Sequence, residues 1–225
     1  MYFSMISLQK GLSPRDIVAL SKHNGYQDHQ LVWQMFADNP DRQRDFIYRH
    51  EMINGSQVFY TVSQREPGGN TKIWEILTKE YKPRLRSGQL LGFTLRANPI
   101  RARRDDDGIQ KRHDVIMEEK LKLKREGKDC DVPDVVQKNG LQWLEERAIS
   151  HGFRIASNNV RVDGYQQHKL FKRKGTNPIS LSTVDFNGIL VVTEPDAFIE
   201  KCLFSGIGHA KGFGCGLMLV KPVRG

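Results

Sequence analysis

Five glycines fall within eleven residues late in the chain: Gly206-Ile207-Gly208-His209-Ala210-Lys211-Gly212-Phe213-Gly214-Cys215-Gly216. A helix or regular strand does not tolerate that density, because glycine gives up side-chain packing and loses the most backbone entropy on folding. Such a run is expected where the backbone must take positive φ, or where something comes close to its N–H groups. Phosphate groups are frequent occupants of loops of this kind. The Gly206-x-Gly208 spacing resembles a dinucleotide fingerprint, but that motif follows a strand and opens a helix. Here residues 195–204 read as a helix and residues 217–220 as an apolar strand. With Lys211 inside it, a loop of that polarity fits an extended polyanion better than a nucleotide cofactor. A tight turn packing helix against sheet is an equally valid reading of the loop alone.

The chain is long enough, at 225 residues, for one large or two small domains. It carries 35 Lys and Arg against 26 Asp and Glu, a net charge of +9. That excess points first to nucleic acid and second to an anionic membrane surface. A basic amphipathic helix with an aromatic apolar face is not evident, which ranks the membrane lower. Nor does any run approach the roughly 18 apolar residues needed to span a bilayer. Residues 1–8 lack a basic n-region and read as a first strand rather than a signal peptide. The three cysteines, Cys130, Cys202 and Cys215, are scattered and have no CxxC spacing. They are expected to belong to a reducing cytoplasm and not to a structural zinc site.

Along the chain, residues 2–8 alternate as a strand. Residues 21–28 read as a loop ending at Asp28 as N-cap. From His29 the apolar residues Leu31, Val32, Met35 and Phe36 recur at helical spacing. Residues 46–50 and 57–62 read as two strands around the turn Asn54-Gly55. Ile73, Trp74, Ile76, Leu77 and Tyr81 predict a second helix, and residues 90–97 a further strand. The order β-α-β-β-α-β is the ferredoxin-like arrangement, so residues 1–98 are expected to form an N-terminal domain. Residues 99–114 are expected to be a linker, flexible in places, and residues 115–225 a second domain of similar grammar. Within that domain residues 135–149 predict a helix stopped by Gly152. Residues 153–156, 166–174 and 180–193 read as strands. The fold class expected is therefore α+β, two tandem ferredoxin-like domains with antiparallel sheets.

Most of the seven histidines (His23, His50, His113, His151, His168 and His209) read as ordinary surface or hydrogen-bonded residues. They show no ligand arrangement, so no metal and no cofactor is expected. His29 differs, because it opens a helix three residues beyond Tyr26 and its pKa range suits proton transfer. Residues 165–175 carry His168, Lys169, Lys172, Arg173 and Lys174 and no acid. With the turn at Gly175 and Asn177-Pro178 this reads as a basic β-hairpin, a ribbon suited to a nucleic-acid groove. The bland alternative is an edge strand protected by its lysines.

These pieces together resemble one family. Its anchors are Met1-Tyr2-Phe3-Ser4, Tyr26-Gln27-Asp28-His29-Gln30 with Trp33, Asp41-x-x-Arg44-Asp45-Phe46, residues 93–99 ending in Arg96-Ala97-Asn98-Pro99, and the glycine loop. In this order and spacing they identify the chain as similar to the CasE (Cse3) family of CRISPR-associated endoribonucleases of type I-E systems. The resemblance covers nearly the whole length.

It implies cleavage of the CRISPR precursor transcript at the 3′ base of the repeat stem-loop, without metal. The ribose 2′-OH attacks the adjacent phosphate, leaving a 2′,3′-cyclic phosphate and a 5′-OH. It implies that the mature guide RNA hairpin is retained and that the protein joins the other Cascade subunits. His29 matches the family's catalytic histidine and Tyr26 its tyrosine. Gln30 and Gln34 stand where a basic residue occurs in other members, so the assisting cation is left unassigned, and His23 competes with His29. The resemblance places Lys169, Lys172, Arg173 and Lys174 against the RNA stem. Arg96, Arg101, Arg103, Arg104 and Lys211 are implied as further RNA contacts, and Gly206, Gly208, Gly212, Gly214 and Gly216 as shaping the cleft. The alternative is a subunit that binds the RNA hairpin without cutting it.

Overall fold

The computed structural model describes residues 1–13, 15, 25–37, 43–104, 108–171 and 177–223, and only the backbone at Gly25 and Tyr26. The first sheet is built from β1 (Tyr2–Leu8), β2 (Phe46–Ile53), β3 (Ser56–Ser63) and β4 (Trp74–Glu80), in the order β2-β3-β1-β4. The second contains β5 (Leu90–Ala97), β8 (Phe153–Leu170), β9 (Ile179–Val192) and β10 (Met218–Pro222), in the order β10-β5-β9-β8. Every pairing in both sheets is antiparallel. The two orders are the same when each sheet's strands are counted in sequence, with the first strand interior. This is the ferredoxin-like order used twice, as the α+β reading requires.

Several expectations need correction. The helix predicted at residues 73–81 is β4, with Trp74 opposite Leu8 and Ile76 opposite Ile6. Trp74 is buried while Leu77 is 53% exposed, which is the alternation of a strand and not the stripe of a helix. The reason is β1, whose second edge would otherwise lack a hydrogen-bonding partner. The strand expected to close the first unit, β5, instead lies between β10 and β9. The first sheet thus ends at Glu80 and the second begins at Leu90, short of the expected division at residue 98.

The segment expected to be a linker, residues 99–114, contains a hairpin of β6 (Ile100–Arg104) and β7 (Gln110–Asp114). It leads directly into α2 (Val115–Arg125). Asp114 caps that helix, its Oδ1 accepting from the N–H of Ile116 and Met117 at 2.9 and 3.0 Å. The two strands expected at residues 153–156 and 166–174 are one continuous β8 with two register shifts. Gln137 of α3 (Val132–Ala148) meets the outer edge of β8 just past the first shift: it donates to Val160 O at 2.9 Å and accepts from Val162 N at 2.8 Å. Its amide group thereby replaces the missing strand partner. After α4 (Pro195–Ala197) the chain winds as a π-helix, Phe198–Phe204, up to the glycine loop.

Helix α1 (Gly25–Gln34) lies on the first sheet. Val32, with Met35 and Phe36 in the turn that follows, packs onto Ile6, Phe46, Phe59 and Trp74. Each of the three is nearly fully buried, worth about 1.5–3 kcal/mol apiece relative to exposure. Arg65 closes the turn after α1: it donates to Phe36 O and pairs with Asp45 at 2.7 Å. The second core lies between its sheet and α2, α3 and the π-helix, with Trp143, Phe153, Phe186 and Phe198 fully buried. A third cluster, Ile47, Val62 and Leu217 with Tyr60, Tyr81 and Phe204 around it, joins the two units.

Candidate active site and nucleic-acid cleft

The tetrapeptide Arg96-Ala97-Asn98-Pro99 is a crossing point. Arg96 forms a bidentate pair with Asp185, 2.8 Å from Nε to Oδ1 and 2.8 Å from Nη2 to Oδ2, and its Nη1 donates to His50 O at 3.3 Å. It therefore ties β5 to β9 and to β2 of the other sheet. Ala97 is buried. Asn98 donates to Ser182 O at 2.7 Å and bridges to His209 in the glycine loop. Pro99 O accepts the first N–H of α2 at 3.0 Å.

The glycine loop is held from several sides. Gly216 N donates to Arg96 O at 2.8 Å and Ile207 N to Gly216 O at 2.9 Å. Gly206, Gly208, Gly214 and Gly216 have positive φ, whereas Gly212 does not. At Gly208 two reasons coincide: φ is +78°, and a Cβ would stand 3.0 Å from the buried Trp143 ring. Trp143 in turn donates to Ile100 O at 3.0 Å and carries Arg147 on its face, 4.0 Å from the ring centroid.

At Gly212 the reason is different. A Cβ there would lie 2.7 Å from Arg44 Nη1 and 3.7 Å from both Cε1 and Nδ1 of His29. Far apart in sequence, the loop and the candidate histidine are adjacent in space. The His29 ring is half-buried between Trp33, 5.8 Å away between centroids, and Phe213, 5.6 Å away. Tyr48 OH donates to Gly212 O at 3.2 Å. Burial, reinforced by Asp28, raises the pKa of that phenol, so it remains a donor.

Asp28 was expected as an N-cap, but α1 begins at Gly25, so Asp28 lies inside the helix. Its Oδ2 stands 3.1 Å from His50 Nδ1, and the His50 ring stacks on Phe59 at 4.7 Å. Tyr26 lies within α1 one turn before His29, and its side chain lies outside the described residues. So do His23, Lys172, Arg173 and Lys174.

The other implied RNA contacts differ among themselves. Arg101 pairs with Glu146 and Arg103 with Glu118, so the face of the β6–β7 hairpin toward the helices is partly neutralised. Arg104 is exposed, and Arg112, which was not singled out, is exposed beside Lys169 in the wall of a cleft. That cleft, about 530 Å³, is lined also by His168, His209, Asn98 and Phe213. A second hollow of about 260 Å³ adjoins it, lined by Asp28, His50, Arg96, His168 and again Phe213. His168 Nε2 stands 2.8 Å from Thr183 Oγ1. The pKa of His168 is lowered by burial and then by Arg96, and that of His209 by burial and then by Arg112. Both imidazoles are held toward the neutral form beside a basic wall.

The expected basic hairpin is real as far as Leu170, which pairs with Ile179, and Phe171 is exposed just beyond. Among the described residues, no group of three or more His, Cys, Asp or Glu is placed to hold a metal ion. Cys130, Cys202 and Cys215 are all free thiols, and burial raises that of Cys215 to about 12. No helix among the described residues is long and apolar enough to cross a membrane.

Arg44, Tyr48, the Asp28–His50 pair and Arg112 escaped sequence reasoning. Arg44 and Asp28 left traces, inside the Asp41-x-x-Arg44-Asp45 and Tyr26-Gln27-Asp28-His29-Gln30 anchors.

A family model described as "CRISPR associated protein" matches residues 1–222. The CRISPR system Cascade subunit CasE of Escherichia coli (strain K12) is 30% identical, over 99% of this chain and all of the relative. A solved structure of the CRISPR endoribonuclease Cse3 bound to a 19-nucleotide RNA superposes with a TM-score of 0.70 at 23% identity, over 99% of this chain and all of that one. Thermus thermophilus Cse3 bound to an RNA representing a pre-cleavage complex gives 0.68 at 24% identity, over 98% of each chain.

Proposed function

Because the chain belongs to the family of CRISPR-associated proteins, we propose that it is the endoribonuclease that processes CRISPR precursor RNA. It cuts at the 3′ base of the repeat stem-loop. It then retains the guide RNA hairpin as a subunit of a Cascade complex in the cytoplasm. The observation that carries this reading is the position of His29 against Gly212 and Phe213 of the glycine loop, with Phe213 also lining a basic-walled cleft.

The reaction needs one proton removed from the 2′-OH and one delivered to the 5′-oxygen. A histidine can do either at neutral pH. Tyr26, one turn earlier on α1, is its partner in positioning or proton transfer. The chemistry is metal-independent, since the attacking and leaving oxygens are served by side chains. The wall formed by Lys169, Arg112 and the ribbon of β8 and β9 holds the stem through its phosphates and shape.

The test is cleavage of the cognate repeat RNA in EDTA. Cutting that survives chelation and disappears in His29→Ala, with RNA binding retained, supports the enzyme. Unchanged cutting by His29→Ala removes His29 from the mechanism. Tight binding of the hairpin with no cleavage by the wild-type chain would favour a non-cleaving RNA-holding subunit.

A further inference from the structure

Helix α1 carries no lysine or arginine, and Gln30 and Gln34 are uncharged. Charge arrives from elsewhere. Arg44, just before β2, reaches the point on Gly212 that His29 also faces, and Lys211, in the glycine loop, lies within range of the Arg44 charge. Arg44 Nη1 and the His29 ring flank the same point at Gly212, as the distances of 2.7 and 3.7 Å from its absent Cβ require. Lys211 is the preceding residue and is half-buried, with its Cγ 3.3 Å from the point where a Gly216 Cβ would stand. Tyr48 pins the segment through Gly212 O.

Neither cation has a carboxylate partner among the described residues. The neighbouring arginines do: Arg65 with Asp45, Arg96 with Asp185, Arg101 with Glu146 and Arg103 with Glu118. Burial lowers the pKa of both Arg44 and Lys211, and Arg44 lowers that of Lys211 further. Two like charges brought together by separate elements, Lys211 half-buried and Arg44 at the surface, repel each other until an anion lies between them.

We propose that Arg44 and Lys211 together bind the non-bridging oxygens of the scissile phosphate, which makes Arg44 a catalytic residue supplying the cation that α1 lacks. This rests on the reading that RNA is cut beside His29. In that step the 2′-oxygen forms a bond to phosphorus as its proton leaves to a base. The bond from phosphorus to the 5′-oxygen breaks as that oxygen gains a proton. Negative charge on the non-bridging oxygens is greatest in between, and a guanidinium and an ammonium fixed there stabilise that state more than the ground state.

The experiment measures single-turnover cleavage of the repeat hairpin by the wild type, His29→Ala, Arg44→Gln, Arg44→Lys and Lys211→Gln. Binding is followed in parallel with an uncleavable hairpin, 2′-deoxy at the attacking nucleotide. Arg44→Gln and Lys211→Gln are expected to slow cleavage by about 100-fold while changing affinity by no more than about threefold. Sulfur in place of one non-bridging oxygen of the scissile phosphate slows the wild type, and this thio effect shrinks in Arg44→Gln. A merely structural Arg44 would leave the thio effect intact. Cleavage by Arg44→Gln within about threefold of wild type, while His29→Ala is inactive, overturns the proposal. Wild-type rates from His29→Ala overturn the underlying reading instead. Should Arg44→Gln lose its fold, Arg44→Lys decides: an unchanged thio effect there is equally fatal.

Discussion

His50 Nδ1 stands 3.1 Å from Asp28 Oδ2, joining the helix that carries His29 to strand β2. The Asp28 side chain is only 12% exposed and that of His50 27%, so the pair is largely withdrawn from water. Removing one member strands the other. His50→Ala is expected to cost about 1–3 kcal/mol, because a buried carboxylate loses its partner. The double variant Asp28→Leu/His50→Leu is expected to recover most of that loss, since an apolar pair removes the unmet polar groups together. Urea denaturation of the wild type, both single variants and the double variant measures the coupling. Additive losses would mean that the two side chains do not interact.

Gly212→Ala places a methyl group 2.7 Å from Arg44 Nη1 at a position where φ is not restrictive. The end of a long side chain can move aside, so stability is expected to fall by less than about 1 kcal/mol. Cleavage is expected to drop by about tenfold or more, because displacement of a charge near the reacting phosphate weakens its stabilisation. Thermal melting and single-turnover rates on the same preparation separate the two effects.

Gly188→Ala is the opposite case. Its Cβ would lie 2.3 Å from Asn159 O and 2.9 Å from Val160 Cα, both backbone atoms of the neighbouring strand. The register shift in β8 between Ile155 and Val160 faces this glycine. Neither strand can yield without breaking pairing, and a loss of about 2–3 kcal/mol is expected by equilibrium unfolding.

Salt titration of hairpin binding distinguishes the arginines. Arg112 is exposed in the cleft wall, whereas Arg103 faces Glu118. Arg112→Gln is expected to reduce the slope of log affinity against log salt by about 0.7–0.9, the signature of one lost phosphate contact. Arg103→Gln is expected to change it by less, and equal slopes for the two variants would contradict the assignment.

The histidines set an acid limit on stability. Burial is the leading cause that lowers the pKa of His151, His168 and His209, with nearby cations adding to it. The unfolded chain therefore binds more protons than the folded one just below the ordinary histidine value of about 6.5. The stability these groups contribute is complete above that value and is lost as pH falls through it. Melting temperature is expected to decline between about pH 7 and pH 5, and the triple variant His151→Gln/His168→Gln/His209→Gln to flatten that decline. A steeper decline in the triple variant would reverse the sign.

The legible parts of the fold were those whose signal is local. The alternation of residues 2–8, the Asn54-Gly55 turn and the apolar stripe of Leu31, Val32, Met35 and Phe36 all appear as expected. Ile73, Trp74, Ile76 and Leu77 misled because three- and four-residue spacings also occur in a strand with one exposed apolar residue. Only the open edge of β1, far away in sequence, decides between the two. Asp28 looked like a cap because a carboxylate ahead of an apolar stripe is the usual sign of one. Its true partner, His50, belongs to the next strand. Arg44 was one of 35 basic residues, and nothing in its flanks tells that the glycine loop will come to rest on it. The surroundings of His29 on α1 were legible because they are contiguous, whereas Gly212, Phe213 and Arg44, which pack near it, come from distant parts of the chain.

The order of the strands also dictates when the site comes into being during synthesis. The first sheet has all its strands once Glu80 has been made, so α1 can settle on it early. The second sheet must wait, because β10 pairs with β5 across most of the intervening chain. Long-range pairing of this kind is slow to form. Gly212 and Phe213 reach His29 only with that closure, so the nascent protein lacks this contact until Met218–Pro222 has docked. A ribosome-bound chain stalled before β10 would hold a folded first unit with His29 still open on the side that the glycine loop later covers.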